Sequence, residues 1–176
     1  MFRAFEGRRG ILLAVSGGPD SLALAKLAAA WRDGGGATPL WAGVVDHRLR
    51  DGSDAVAEAA AATSRGFGLS ARVLRWRHGG VTSRLQERAR DARYALLAQE
   101  AARVGADAIA TAHHRGDQAE TVLFRALRGS GIGGLAGMAE VSARDGLALL
   151  RPLLGVDGAE LRSWLAGQGV AAHDDP

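Results

Sequence analysis

Short apolar runs alternate along the chain with longer stretches in which apolar residues recur every three or four positions. Ile11-Leu12-Leu13-Ala14-Val15 is apolar throughout and stops at Ser16-Gly17-Gly18. Such an unbroken run predicts a strand buried on both faces. Ser21 to Arg32 predicts a helix, closed by Gly34-Gly35-Gly36. Trp41-Ala42-Gly43-Val44-Val45 predicts a second buried strand that runs into Asp46-His47. Asp54 to Ser64 is Ala-rich and helical, with Gly66 and Gly68 behind it. Ala71 to Trp76 alternates like a third strand.

Ser83 is placed to cap the next helix. Its apolar positions Leu85, Ala89, Ala92 and Leu96 fall on one helical face. Ala108 to Ala112 predicts a fourth strand, ending at His113-His114. Ala119, Val122, Leu123, Ala126 and Leu127 then give an amphipathic helix, followed by a glycine-rich loop from Gly129 to Gly137. Leu147 to Leu154 predicts a fifth strand and Gly158 to Gly167 a last helix. Alternating strands and helices imply a parallel sheet with helices on both faces. Ligands of such sheets sit at the carboxyl ends of the strands. The polar groups collect there: Ser16 to Ser21, Asp46-His47 and His113 to Glu120.

The 176 residues suit one domain. There is no internal repeat, heptad or low-complexity linker. The chain stops at His173-Asp174-Asp175-Pro176 without a closing element, which reads as a cut inside a longer polypeptide. The 47% hydrophobic and 23% charged fractions are those of a soluble globular protein. No apolar run approaches the roughly 20 residues of a membrane span. The first nine residues lack the apolar core of a signal peptide, so a cytoplasmic protein with no membrane partner is expected. The absence of Cys removes disulfides, thiolate zinc sites, iron–sulfur ligation and Cys nucleophiles from these residues.

The net charge is +3, and Lys26 is the only Lys, so the positive charge is almost all Arg. It is uneven: between Arg72 and Arg93 seven Arg stand against Glu87 and Asp91. That stretch suits a surface for phosphate or nucleic acid, and equally a solvated face.

The sharpest feature is Ser16-Gly17-Gly18-Pro19-Asp20-Ser21, between a strand and a helix. Two glycines let the backbone approach an anion, and the following helix presents its N-terminus to it. Asp20 would repel a bare phosphate, so it makes sense as a ligand of a magnesium ion shared with phosphates. No Walker-A pattern is present. An ordinary turn with Ser and Asp as caps is the plainer alternative.

Ser-Gly-Gly-x-Asp-Ser after the first strand resembles the pyrophosphate loop of the N-type ATP pyrophosphatases, the PP-loop enzymes. Further blocks resemble the tRNA(Ile)-lysidine synthetase branch. They are Val45-Asp46-His47-Arg48-Leu49-Arg50, Ala92-Arg93-Tyr94, Ala112 to Thr121, Arg128-Gly129-Ser130-Gly131 to Met138, and Arg151-Pro152-Leu153-Leu154. The resemblance covers nearly the whole chain, in register. Arg48 stands where the family usually has Gly, and Gly116 replaces the first Asp of its usual Asp-Asp pair.

The resemblance implies a three-layer, doubly wound α/β fold of the adenine nucleotide alpha hydrolase type, with five parallel strands in the order 3-2-1-4-5. It implies residues 1–176 as a catalytic domain, with a tRNA-binding region beyond them. ATP and magnesium are the implied cofactors, and free L-lysine and isoleucine tRNA with a CAU anticodon the implied partners. A homodimer is compatible with it. The implied nucleotide-binding residues are Ser16, Gly17, Gly18, Pro19, Asp20, Ser21, Asp46 and His47, with Asp20 also on the metal. The implied catalytic residues are Asp20, Arg93, His113 and Asp117. The expected reaction adenylates the wobble cytidine and then displaces AMP with lysine. The rivals are another PP-loop enzyme with a different acceptor and a nucleotide-binding module without catalysis. For Asp117 and Glu120, helix capping is the structural alternative. For His113-His114 the alternatives are a capping or core role and metal ligation. Gly129 to Gly134 matches Gly-x-Gly-x-x-Gly but follows a helix, outside the dinucleotide-binding context.

Overall fold

A computed structural model describes residues 1–78, 84–129 and 136–173. Ser83, most of the Gly129 to Gly137 loop and the last three residues lie outside the described residues. Among the described residues the strands are β1 (Ile11–Val15), β2 (Leu40–Asp46), β3 (Ser70–Arg75), β4 (Ala108–Ala110), β5 (Val141–Arg144) and β6 (Leu147–Leu150). The helices are α1 (Pro19–Asp33), α2 (Ser53–Gly66), α3 (Leu85–Val104), α4 (Arg115–Leu127) and α5 (Gly158–Gly167). The sheet runs β3-β2-β1-β4-β6-β5. The neighbours β3-β2-β1-β4-β6 pair in parallel, while β5 pairs antiparallel with β6.

The expected parallel order is present, with β6 in the fifth place and an extra edge strand beyond it. β6 stops at Leu150, earlier than the expected end at Leu154: Pro152 has no N–H to continue the ladder, and the Arg151 side chain bonds Ala139 O and Ser142 Oγ beside β5.

Alternation along β1 sorts the core into two layers. Ile11, Leu13 and Val15 face α1, α2 and α5, joining Leu24, Ala28, Ala61 and Leu161. Leu12 points the other way, into Tyr94, Leu97 and Ala101 of α3 and Ile109 of β4. That layer corrects the face expected of α3. Leu85 is exposed and Leu96 only half-buried, while Ala89, Tyr94, Leu97 and Ala101 are buried. The helix is rolled so that its one large aromatic, Tyr94, is sunk against the sheet, with the Arg144 guanidinium 4.0 Å above its ring.

The amphipathic stripe of α4 is also not core. Leu123, Phe124 and Leu127 are exposed, Leu127 to 79%. β4 ends at Ala110, so α4 runs beyond the sheet rather than along it. Strand order reverses between β1 and β4, which opens a crevice at their carboxyl ends. No described helix is long and apolar enough to cross a membrane.

Candidate active site

The loop between β1 and α1 lies in that crevice. Gly17 has φ +95°, and a Cβ there would come 3.2 Å from the Ala60 side chain of α2, so both conformation and space demand glycine. Pro19 occupies the first turn of α1, where a missing N–H costs nothing. Gly18 is the N-cap residue and α1 has no side-chain cap, which leaves its first-turn amides turned toward the crevice.

Ser21 is buried and organises the loop from within. Its Oγ accepts from Ser16 N (3.1 Å) and Gly17 N (3.2 Å) and donates to Gly18 O (2.9 Å). Ser16 Oγ lies 3.2 Å from it. Ser21→Ala should therefore leave two inward amides unpaired, at a cost of about 1–3 kcal/mol. Urea unfolding checks this; an unchanged midpoint would contradict it.

Asp20 leaves the helix start toward α4 and α5. Arg162 Nη1 of α5 pairs with its Oδ2 at 3.3 Å, and His114 Nε2 lies 3.6 Å away. His114 is the N-cap of α4: its Nδ1 accepts from Gly116 N, and its own N–H donates to Asp117 Oδ2 at 2.8 Å. An accepting Nδ1 puts the ring proton on Nε2, facing Asp20. The ring is sandwiched between two glycines: a Cβ on Gly116 would stand 2.7 Å from His114 Cε1, and one on Gly158 2.8 Å from Nε2. The departure at position 116 thus makes room for this histidine pose. Asp117 has the capping-box role and also lines the cavity.

His113 follows β4 and lies against Thr111, with Oγ1 to Nδ1 at 2.8 Å. The same hydroxyl also reaches Leu150 O at 3.5 Å. Burial holds His113 below the ordinary histidine value, against Asp117, and Arg151, Arg90 and Arg93 lower it further. His47, after β2, accepts from Arg93 Nε at 3.3 Å and is likewise lowered, first by burial and then by Arg93. Its Nδ1 is buried without a partner, as is Asp46 Oδ2. Asp46 Oδ1 takes the Arg48 amide and the Ser53 hydroxyl, bracing the turn after β2. Orphaned buried polar atoms at the mouth of a crevice suit a ligand that completes them.

Two adjoining cavities meet at the loop. The larger, about 950 Å³, is lined by Ser16, Asp20, Ser21, His47, Arg93, His113 and Asp117. The smaller, about 320 Å³, has an apolar wall of Val45, Leu49, Val56 and Ala57 beside Asp46. Ser16, Val45 and His47 border both. The described chain returns here too, with His173 N donating to Gly17 O at 3.1 Å. Every residue expected at the site borders one of these cavities except Pro19, which shapes the helix start, and Gly17, whose backbone lies beneath it.

Three residues of the site carried no expectation: Arg162 flanks Asp20, Thr111 bonds His113 Nδ1, and Gln118 clamps the end of the glycine-rich segment. His114, for which capping was one of the expected alternatives, has that role and also flanks Asp20. Gln118 donates to Met138 O at 2.9 Å and accepts from Met138 N at 2.6 Å.

Among curated proteins the chain is 50% identical, over its full length, to the tRNA(Ile)-lysidine synthase of Bradyrhizobium sp. strain BTAi1, of which it covers 49%. It is 48% identical to that of Rhodopseudomonas palustris, covering all of this chain and 51% of the relative. The chain thus spans about half the length of the curated relatives it matches. Among solved structures it is similar to the U34-tRNA thiolase NcsA from Methanococcus maripaludis with its 4Fe-4S cluster. The TM-score is 0.77 at 19% identity, with 98% of this chain and 61% of that one covered, a likeness of fold. The profile of the PP-loop domain matches residues 1–176, and the chain belongs to that family.

Proposed function

We propose that residues 1–176 are the catalytic domain of an ATP-dependent, cytoplasmic lysidine-forming enzyme. Its acceptor is the wobble cytidine of isoleucine tRNA with a CAU anticodon, and free L-lysine supplies the amine. The observation that carries this reading is that His113 and Arg93 open onto the same cavity as the glycine loop. A nucleotide with its phosphates on the loop amides would have a cation and a neutral N–H donor beside them. The names of the half-identical relatives supply the acceptor.

In the first step cytidine O2 attacks the α-phosphorus, the bond to the β-phosphate oxygen breaks and pyrophosphate leaves. In the second the lysine ε-amine attacks C2, the C2–O bond breaks, AMP leaves and the amine gives up its protons to solvent. The α1 amides and Gly18 hold the phosphates, Arg93 offsets charge on the departing pyrophosphate, and His113 Nε2–H donates to a phosphate oxygen. Asp46 and His47, with their unpaired atoms, position the nucleoside. Asp117 holds the start of α4 and with it the His113-His114 corner.

A magnesium ion fits as a bridge, since magnesium is commonly held by one carboxylate plus substrate phosphates and does not need a protein cage. Among the described residues no group of three acidic or histidine ligands exists, and Asp20, part-exposed at the loop, is the carboxylate that would hold it. Bound there it would neutralise phosphate charge.

Mass spectrometry of isoleucine tRNA after incubation with ATP and lysine tests the proposal. A lysine-modified cytidine at the wobble position is expected; unmodified tRNA with ATP consumed would point to another acceptor. The small net charge of +3 also implies that this domain alone grips tRNA weakly. Each phosphate contact adds roughly one unit to the log–log salt slope, and a shallow slope is expected in filter binding. Tight, salt-resistant binding by residues 1–176 would contradict a tRNA-binding region lying beyond them.

A further inference from the structure

Beside the two cavities at the loop lies a third, about 500 Å³, lined by Arg48, Trp76, Arg77 and His78. It sits where β2 and β3 end, on the outer side of His47. Trp76 and His78 form one aromatic ledge, with ring centroids 4.4 Å apart. The edge of Trp76 meets the His47 ring at 6.2 Å and 85°. His78 is fixed from below, its Nε2 lying 3.2 Å from His47 O, while its Nδ1 is buried without a partner. Among the described residues no acidic side chain lines this cavity, and both of its arginines are exposed.

Arg48 is the second independent observation. It holds φ +52°, a left-handed conformation that is unfavourable for a residue with a side chain and costs glycine almost nothing. Strain kept in this way points to a use for the side chain. What the strain achieves is to carry a guanidinium to the rim of an aromatic ledge.

We propose that the Trp76–His78 ledge, with Arg48 and Arg77, is a single-stranded RNA subsite that stacks a nucleotide flanking the target base. Its fit rests on the acceptor being RNA, as proposed above. Unpaired bases are recognised by stacking on aromatic faces while arginines take the neighbouring phosphates. An aromatic ledge rimmed by two arginines supplies both halves of that chemistry. The ledge adjoins the site through His47, whose ring meets Trp76, and through Asp46, which takes the Trp76 amide on its carbonyl at 2.9 Å, so a base stacked on Trp76 would lie near one inserted beside His47. The ledge would thereby hold the splayed loop in the register that presents one base to the phosphate loop.

The test is fluorescence polarisation of a labelled single-stranded heptaribonucleotide containing the CAU triplet, with ATP binding measured in parallel. Trp76→Ala should weaken RNA binding by about tenfold or more, the loss expected for one stacked base. Trp76→Phe should restore most of it, and ATP affinity should hold in both. Arg77→Ala should lower the log–log salt slope by about one unit. Arg48→Gly relieves the strain, so it should raise stability while weakening RNA binding. RNA affinity unchanged in Trp76→Ala and in Arg48→Gly would overturn the ledge and leave the lysidine reading standing. A wild-type chain that binds ATP but not the heptaribonucleotide would also overturn the ledge, whereas the lysidine reading falls only if isoleucine tRNA stays unmodified with ATP and lysine. Should Trp76→Ala unfold, the two surface arginine variants decide alone.

Discussion

Asp20→Asn is expected to lower adenylation by a hundredfold or more, about the loss of one preorganised charge at a phosphoryl centre. The carboxylate is the only acid in the loop, at the first turn of α1 among amides aimed at phosphate. In the proposed site this acid would hold the cation that neutralises phosphate charge. Its protein partners, Arg162 at 3.3 Å and His114 at 3.6 Å, are part-exposed contacts worth little to the fold. The asparagine keeps the size of the side chain, so the unfolding midpoint should barely move. Magnesium-dependent pyrophosphate release is the readout, and wild-type turnover in the variant would remove Asp20 from the phosphate site.

His113→Ala should reduce turnover by about a hundredfold while ATP binding changes only a few-fold. A donor aimed at a phosphate oxygen contributes most where charge is greatest, in the transition state. Thr111 Oγ1 holds the ring by Nδ1 at 2.8 Å, so Thr111→Val should show a smaller loss of the same kind. Equal losses in binding and rate would make His113 a ground-state ligand, and no loss would make it structural. Protonation has its own signature. The unfolded chain takes up protons at His47 and His113 near the ordinary value of 6.5, and the folded chain only at lower pH. Stability from both residues is therefore complete above that pH and declines as the pH falls through it. The urea midpoint should be flat between about pH 7 and 8 and fall below about 6.5, less steeply in His113→Ala. A midpoint that rises on acidification would contradict the burial of neutral rings.

Much of this site could be read from the chain because its parts are local. Loop, glycines, carboxylate and helix start occupy six consecutive residues, β1 and β4 are apolar throughout, and β2 is apolar up to Asp46. What was missed depends on tertiary placement. The face of α3 reads one step round the helix because Leu85 and Leu96 outweigh Tyr94 in a periodicity argument, yet Tyr94 is buried in the layer under Leu12 while Leu96 packs only at its edge and Leu85 is exposed. Strand β5 alternates weakly and is largely exposed, but Asp145-Gly146, both at positive φ, is a hairpin signal that could have revealed it. Arg162 lies 142 residues from Asp20 and gave no local sign. His114 was visible in the sequence as one of a pair, but its role depends on the glycines at 116 and 158 that flank its ring.

The central claim is that the loop, Arg93 and His113 transfer the adenylyl group of ATP to a cytidine base. It is tested most directly by incubating the chain with ATP labelled at the α-phosphate and a high concentration of isoleucine tRNA, without lysine. The account predicts label on the wobble cytidine, released as AMP when lysine is added, and no label in Asp20→Asn. Label that stays off the tRNA while pyrophosphate is released, or that appears equally on a tRNA lacking the wobble cytidine, would contradict it.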